Sequence, residues 1–213
     1  MKIFFNRVLS ICIVLLPFTG RGQGNEKWNK YIFSHAIDVT NLNSKKLFRD
    51  KTKSASLENN ITNFYLYKNG ILVQPGGKWD HEFFAAGCLC FKFDDTLLFS
   101  SGLGRSAGVG IGLKIYENKF SSSLHVNAGN ALVFKSNLAD KVNEDDLTIE
   151  PIYQSLKLTQ KPTDINEIMI GELNATFRAF YQKGSKSGRE YIRRYRVRLI
   201  FKCKITSIDA FRK

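Results

Sequence analysis

Two stretches near the C-terminal end alternate with a period of two residues, and no other feature limits the fold as tightly. In the first, Leu173, Ala175, Phe177, Ala179 and Tyr181 alternate with Glu172, Asn174, Thr176, Arg178 and Gln182, and Phe180 interrupts the polar series. In the second, Tyr195, Val197, Leu199, Phe201, Cys203 and Ile205 alternate with Arg194, Arg196, Arg198, Ile200, Lys202 and Lys204. Successive side chains on a strand point to opposite faces, so both stretches read as half-buried strands. The polar loop 183–188, with Gly184 and Gly188, joins them into a long antiparallel hairpin. One face packs on a core. The other carries cations about 7 Å apart, since residues i and i+2 share a face at roughly 3.3 Å rise per residue.

Strand signals recur upstream. Asn63–Tyr67 and Ile71–Gln74 flank Lys68-Asn69-Gly70, and Asn-Gly between apolar runs is a strong hairpin signal because both residues tolerate positive φ. Cys88–Phe93 and Thr96–Ser101 flank Asp94-Asp95. Val109, Ile111, Leu113 and Ile115 alternate with Gly108, Gly110, Gly112 and Lys114, and Glu117-Asn118 turns that run into Phe120–Asn127. Leu147–Leu158 is extended apart from an interruption at Pro151. No helical stretch of crossover length alternates with these strands, which disfavours a parallel α/β sheet. The expected class is mostly β, an antiparallel β-sandwich or open barrel of about eight to ten strands with little helix.

Residues 1–24 are expected to be a signal peptide. Lys2 and Arg7 precede the apolar run Val8–Phe18, and the small residues Thr19, Gly20, Gly22 and Gly24 follow it. That run falls short of the roughly 20 apolar residues a bilayer span requires. With no second run of that length, no transmembrane span is expected after cleavage. Residues 25–213 then form a single β domain that is exported: periplasmic, outer-surface or secreted. In such a compartment disulfides persist. Cys88 and Cys90 lie two apart on one strand face and would rarely bridge each other, so the expected pairing is Cys88 or Cys90 with Cys203.

The total charge of +13 is unevenly placed. Residues 25–177 carry 17 basic and 17 acidic side chains, whereas residues 178–213 carry 12 basic and 2 acidic. On the polar strand face this excess singles out Arg178, Arg194, Arg196, Arg198, Lys202 and Lys204 as an anion-binding candidate, because guanidinium groups grip carboxylate and phosphate through paired N–H donors. The ordinary explanation of such a face is protection: Lys and Arg on an edge strand oppose edge-to-edge aggregation. An anionic envelope component or an acidic polysaccharide is the expected partner. Nucleic acid is the weaker candidate, since Tyr191 and Tyr195 fall on the opposite face and leave no aromatic platform among the cations.

Signals for catalysis are sparse. Gly102-Leu-Gly104-Arg-Ser-Ala107 superficially fits a dinucleotide turn, but the glycines that follow at 108, 110 and 112 oppose the helix that turn needs. They fit instead a glycine-faced strand that lets a large side chain or another backbone come close. His35, His81 and His125 lack ligand spacing, and Asn143-Glu144-Asp145-Asp146 lacks the alternation of a calcium loop. No cofactor, metal or catalytic residue is therefore expected. A hydrolase acting on envelope or nutrient polymers is the competing function, and Asp80, His81 and Glu82 are its only candidates.

Leu156-Lys-Leu-Thr-Gln-Lys-Pro162, leading into Ile170-Gly-Glu-Leu-Asn-Ala-Thr-Phe177, resembles the uncharacterised small exported β-rich proteins of Bacteroidota-type bacteria, over about the last 60 residues. The resemblance implies a periplasmic or surface location and transfers no catalytic residue. The leading expectation is thus a non-catalytic binding or structural β module of the bacterial envelope.

Overall fold

The structure, a computed structural model, describes residues 27–40, 42, 58–73, 84–104, 108–127, 132–134, 146–162, 164–183 and 187–207, with 132–134 and 146 described by their backbone alone. The expected signal peptide lies outside the described residues. Eight strands of eight residues or more build the frame: β3 (Asn60–Lys68), β5 (Phe84–Phe93), β6 (Thr96–Gly104), β7 (Gly108–Tyr116), β8 (Lys119–Asn127), β11 (Pro151–Leu158), β12 (Ile168–Phe177) and β15 (Tyr195–Ser207). Seven short strands complete it: β1 (Asn29–Lys30), β2 (Ile32–Phe33), β4 (Ile71–Val73), β9 (Leu132–Phe134), β10 (Asp146–Ile149), β13 (Phe180–Lys183) and β14 (Glu190–Arg193). The fold is mostly β.

One twelve-stranded sheet runs β1-β8-β7-β6-β5-β3-β15-β12-β11-β2, with β10 on β8 and β4 on β3; a three-stranded sheet holds β14-β13-β9. The large sheet does not close, and it folds over on itself as a sandwich or open barrel does. The chain passes from one half to the other at defined points. β5 pairs with β3 through Phe84–Gly87 and with β6 through Cys88–Phe93. β10 lies on β8, and one residue later β11 lies on β12. β1 lies on β8 and β2 on β11. Two pairings are parallel, β2 with β11 and the end of β15 with β5, so the sheet is mixed rather than purely antiparallel.

Alternation explains the core. Ile111, Leu113 and Ile115 of β7, Phe120, Leu124 and Val126 of β8, Leu173, Ala175 and Phe177 of β12, and Val197, Leu199, Phe201, Cys203 and Ile205 of β15 all point into one apolar cluster. Burying such a side chain is worth about 1.5–3 kcal/mol. The tight turns fall where the sequence puts them, with positive φ at Asn69 (51°), Gly70 (86°), Asp94 (50°) and Glu117 (52°). A buried Gln154 ties the two halves together. Its Oε1 accepts from the Ser122 amide (2.9 Å) and hydroxyl (2.7 Å), and its Nε2 donates to Asn29 Oδ1 (3.0 Å) and to the Lys27 carbonyl. A buried amide so fully bonded fixes register between β8, β11 and β1 at little desolvation cost.

The C-terminal hairpin forms, with a corrected tip. β12 and β15 are in antiparallel register from Ile168 opposite Lys204 to Thr176 opposite Arg196. At Arg178-Ala179 the alternation slips, and Phe180 rather than Tyr181 enters the core. The phenylalanine that interrupted the polar series is thus the residue that re-phases the strand. Beyond it the chain leaves the large sheet as β13 and β14.

A candidate anion site on the outer sheet face

β15 lies between β12 and β3 from Arg196 to Cys203, so its cations sit in the middle of the sheet and guard no open edge. Edge protection therefore does not account for them. On the outer face the registers set side chains in rows across four strands. One row is Tyr67, Arg196, Thr176 and Tyr153; the next is Tyr65, Arg198, Asn174 and Ser155; a third is Asn63, Ile200, Glu172 and Lys157. The first two rows without Tyr65, together with Lys157, line an open depression of about 520 Å³.

Two arginines are held by tyrosines of the neighbouring strand. The Arg196 guanidinium stands 3.9 Å above the Tyr67 ring centre, and that of Arg198 stands 5.3 Å above Tyr65. Each such contact is worth about 0.5–1 kcal/mol at an exposed site, rising to about 2 kcal/mol when desolvated. Arg198 also donates from Nε to Glu172 Oε1 at 2.7 Å, and Asn174 Nδ2 donates to the same oxygen at 3.4 Å. Burial by itself would raise the Glu172 carboxyl. The bonds from Arg198 and Asn174, with the charges of Arg198 and Lys157, outweigh it and hold the group below its ordinary range. Arg198 is thereby half committed to an internal partner, while Arg196 is exposed.

The six cations expected to act together are not gathered into one patch. Arg196 and Arg198 line the depression. Arg178 is exposed at the end of β12, where its amide donates to the Glu150 carbonyl (3.1 Å). Arg194 is exposed at the junction of β14 and β15, where its backbone exchanges bonds of 2.8 Å with Asn69. Lys202 and Lys204 are half-buried further along β15. There the outer face is closed over: Ile61 and Ile200 are buried, as is Ile37 outside the main core. Asp38, beside Ile37, has its carboxyl lowered, first by the Thr40 hydroxyl and amide and also by the charge of Arg198.

Compared with known protein families, with curated proteins and with solved structures, the chain matches none.

The remaining candidates are distributed as follows. Cys88 and Cys203 form a disulfide with Cα atoms 6.1 Å apart, stapling β5 to β15, and Cys90 is a buried free thiol pushed up to about 12 by desolvation. Asp80, His81 and Glu82 lie outside the described residues. Gly102 and Gly104 end a strand that turns into another strand, not a helix. His125 lies on the outer face of β8 with Nε2 2.9 Å from Ser123 Oγ and Nδ1 3.0 Å from Thr148 Oγ1. A Cβ at Gly112 would stand 2.8 Å from the Ser123 hydroxyl and 3.0 Å from His125 Nε2, so the glycine is what lets the imidazole lie across β7.

Sequence reasoning missed Tyr65, Tyr67, Tyr153 and Lys157. The aromatic residues among the cations come from β3 and β11, not from β15 itself. The tyrosines on β3 carried a signal, because Tyr65 and Tyr67 alternate with Phe64 and Leu66 and so had to face outward.

Proposed function

We propose that this chain is an exported, non-catalytic module of the bacterial envelope that docks an anionic envelope component or acidic polysaccharide on the outer face of β3, β15, β12 and β11. The observation that carries this reading is Arg196: exposed, in the centre of a sheet, and laid on Tyr67 in a depression of about 520 Å³. A guanidinium stacked on a ring keeps its in-plane N–H donors free for a carboxylate or phosphate, and it loses little conformational freedom on binding. Three cations, Arg196, Arg198 and Lys157, line the depression, and Glu172 beside it bonds Arg198.

The test is retention of the purified protein on immobilised dextran sulfate. Arg196→Glu is expected to leave the fold intact and to weaken retention at least tenfold, whereas Arg194→Glu, outside the depression, should change it little. Retention should also fall with salt, because exposed charges are screened over about 8 Å at physiological ionic strength. Equal retention of Arg196→Glu and wild type at low salt would overturn the proposal.

A further inference from the structure

Resting on the anion-docking reading, we infer that the ligand is a carboxylate-bearing polysaccharide of uronic-acid type, laid across the strands and stacked on Tyr153. The depression spans four strands, from Tyr67 on β3 to Tyr153 on β11. Three strand spacings of about 4.8 Å make the floor about 14 Å long, which suits a short run of a chain molecule rather than a single small anion. Its volume falls within the range of ordinary ligand sites.

The floor separates its chemistry by position. Tyr65 and Tyr67 each already face a guanidinium. Tyr153 on the opposite side is 58 % exposed. One open aromatic ring suits the C–H face of one sugar. Single-stranded nucleic acid instead needs successive rings for successive bases. Between the two ends stand Thr176, Asn174 and Ser155, neutral groups that donate to and accept from hydroxyls.

The cations differ along the floor, since Arg198 already bonds Glu172 while Arg196 is exposed. A polyuronate carries one carboxylate per ring. Its charge can meet Arg196 while its hydroxyls meet Thr176, Asn174 and Ser155. The exposed edge of the Arg196 fork then takes the uronate carboxylate through two parallel bonds.

The experiment measures affinity of the purified protein for polygalacturonate, fully methyl-esterified polygalacturonate, neutral dextran and single-stranded oligo-dT, with Tyr153→Ala and Tyr153→Phe as variants. Tyr153 is exposed, so neither variant endangers the fold. The expected result is binding of polygalacturonate alone, weakened about tenfold by Tyr153→Ala and restored by Tyr153→Phe. Oligo-dT binding as tight as polygalacturonate, with Tyr153→Ala affecting neither, would overturn the uronate assignment and leave anion docking standing. Binding of none of the four, or equal binding of the esterified polymer, would overturn both.

Discussion

Replacing Gly171 with alanine should damage this protein more than any other single methyl group added to its hairpin. Gly171 is buried in β12, with Phe201 opposite it on β15 and Leu158 opposite it on β11. A Cβ built there would overlap the Phe201 Cζ and stand 2.9 Å from both Leu158 Cδ2 and the Lys157 carbonyl oxygen. None of the three can retreat easily. Phe201 is fully buried and packs on Phe99 with ring centres 4.6 Å apart; Leu158 is fully buried; and Lys157 O belongs to the backbone between β2 and β12. Inserting a methyl group into a packed core costs about 1–3 kcal/mol. With two rigid neighbours and one backbone atom in the way, the upper part of that range applies, about 2–3 kcal/mol. For a chain of this size each kcal/mol lowers the melting temperature by about 2–4 °C, so a fall of roughly 4–12 °C is expected. Thermal unfolding followed by circular dichroism reads it. A double-mutant cycle with Phe201→Leu, which shortens the ring that is struck, should recover part of the loss, since residues in contact do not add independently. A Gly171→Ala protein that melts with wild type would refute the packing of β12 between β11 and β15, and with it the registers that assemble the candidate site.

Three further outcomes follow from the same contacts. Because the Glu172 carboxyl is held below its ordinary range, it adds stability at pH values above its unfolded value of about 4.3, and that contribution disappears as pH falls through its lower folded value. With Arg198 42 % exposed, the pair is worth about 0.5–1 kcal/mol, so the urea midpoints of wild type and Glu172→Gln should differ at pH 7 and converge towards pH 3; a gap that persists in acid sinks the idea. Removing the Cys88–Cys203 disulfide with paired serines, across a separation of 115 residues, should cost about 2–4 kcal/mol in guanidinium unfolding, and an unchanged midpoint would deny that the staple forms. Cys90, fully buried and protonated, should resist iodoacetamide at pH 8 in the folded protein and react in denaturant, which peptide mass mapping detects; rapid native labelling would place it elsewhere.

The hairpins were legible because each is local. Period-two alternation and turn residues at Asn69-Gly70, Asp94 and Glu117 act over a few residues, and no tertiary contact opposed them. What could not be read was long-range register. Which cysteine faces Cys203 depends on where β15 crosses from β3 to β5, since that crossing sets Ile205 beside Cys90. Tyr67 meets Arg196 only because β3 pairs with β15 across most of the chain. A shift of one residue in that pairing would have turned every one of these side chains to the other face. The slip at Arg178-Ala179 was visible in outline, as Phe180 out of phase, but its resolution required the core that takes the ring.

Position within the sheet excludes edge protection as the reason for Arg196 and Arg198. A cation on an edge strand earns its place by repelling other edges, and it does so whether or not anything binds it. Arg196 and Arg198 have no edge to defend, since β12 and β3 hydrogen-bond to β15 on both sides. They share one face about 7 Å apart, where two like charges oppose each other unless a counter-charge intervenes. Glu172 supplies one to Arg198 through its ion pair, and the charge of Asp38 also acts on Arg198. Threonine or valine at position 196 would cover Tyr67 without that repulsion and would suit a strand better. On the proposed reading, an anion lying along the tyrosine-backed row would relieve the repulsion between Arg196 and Arg198.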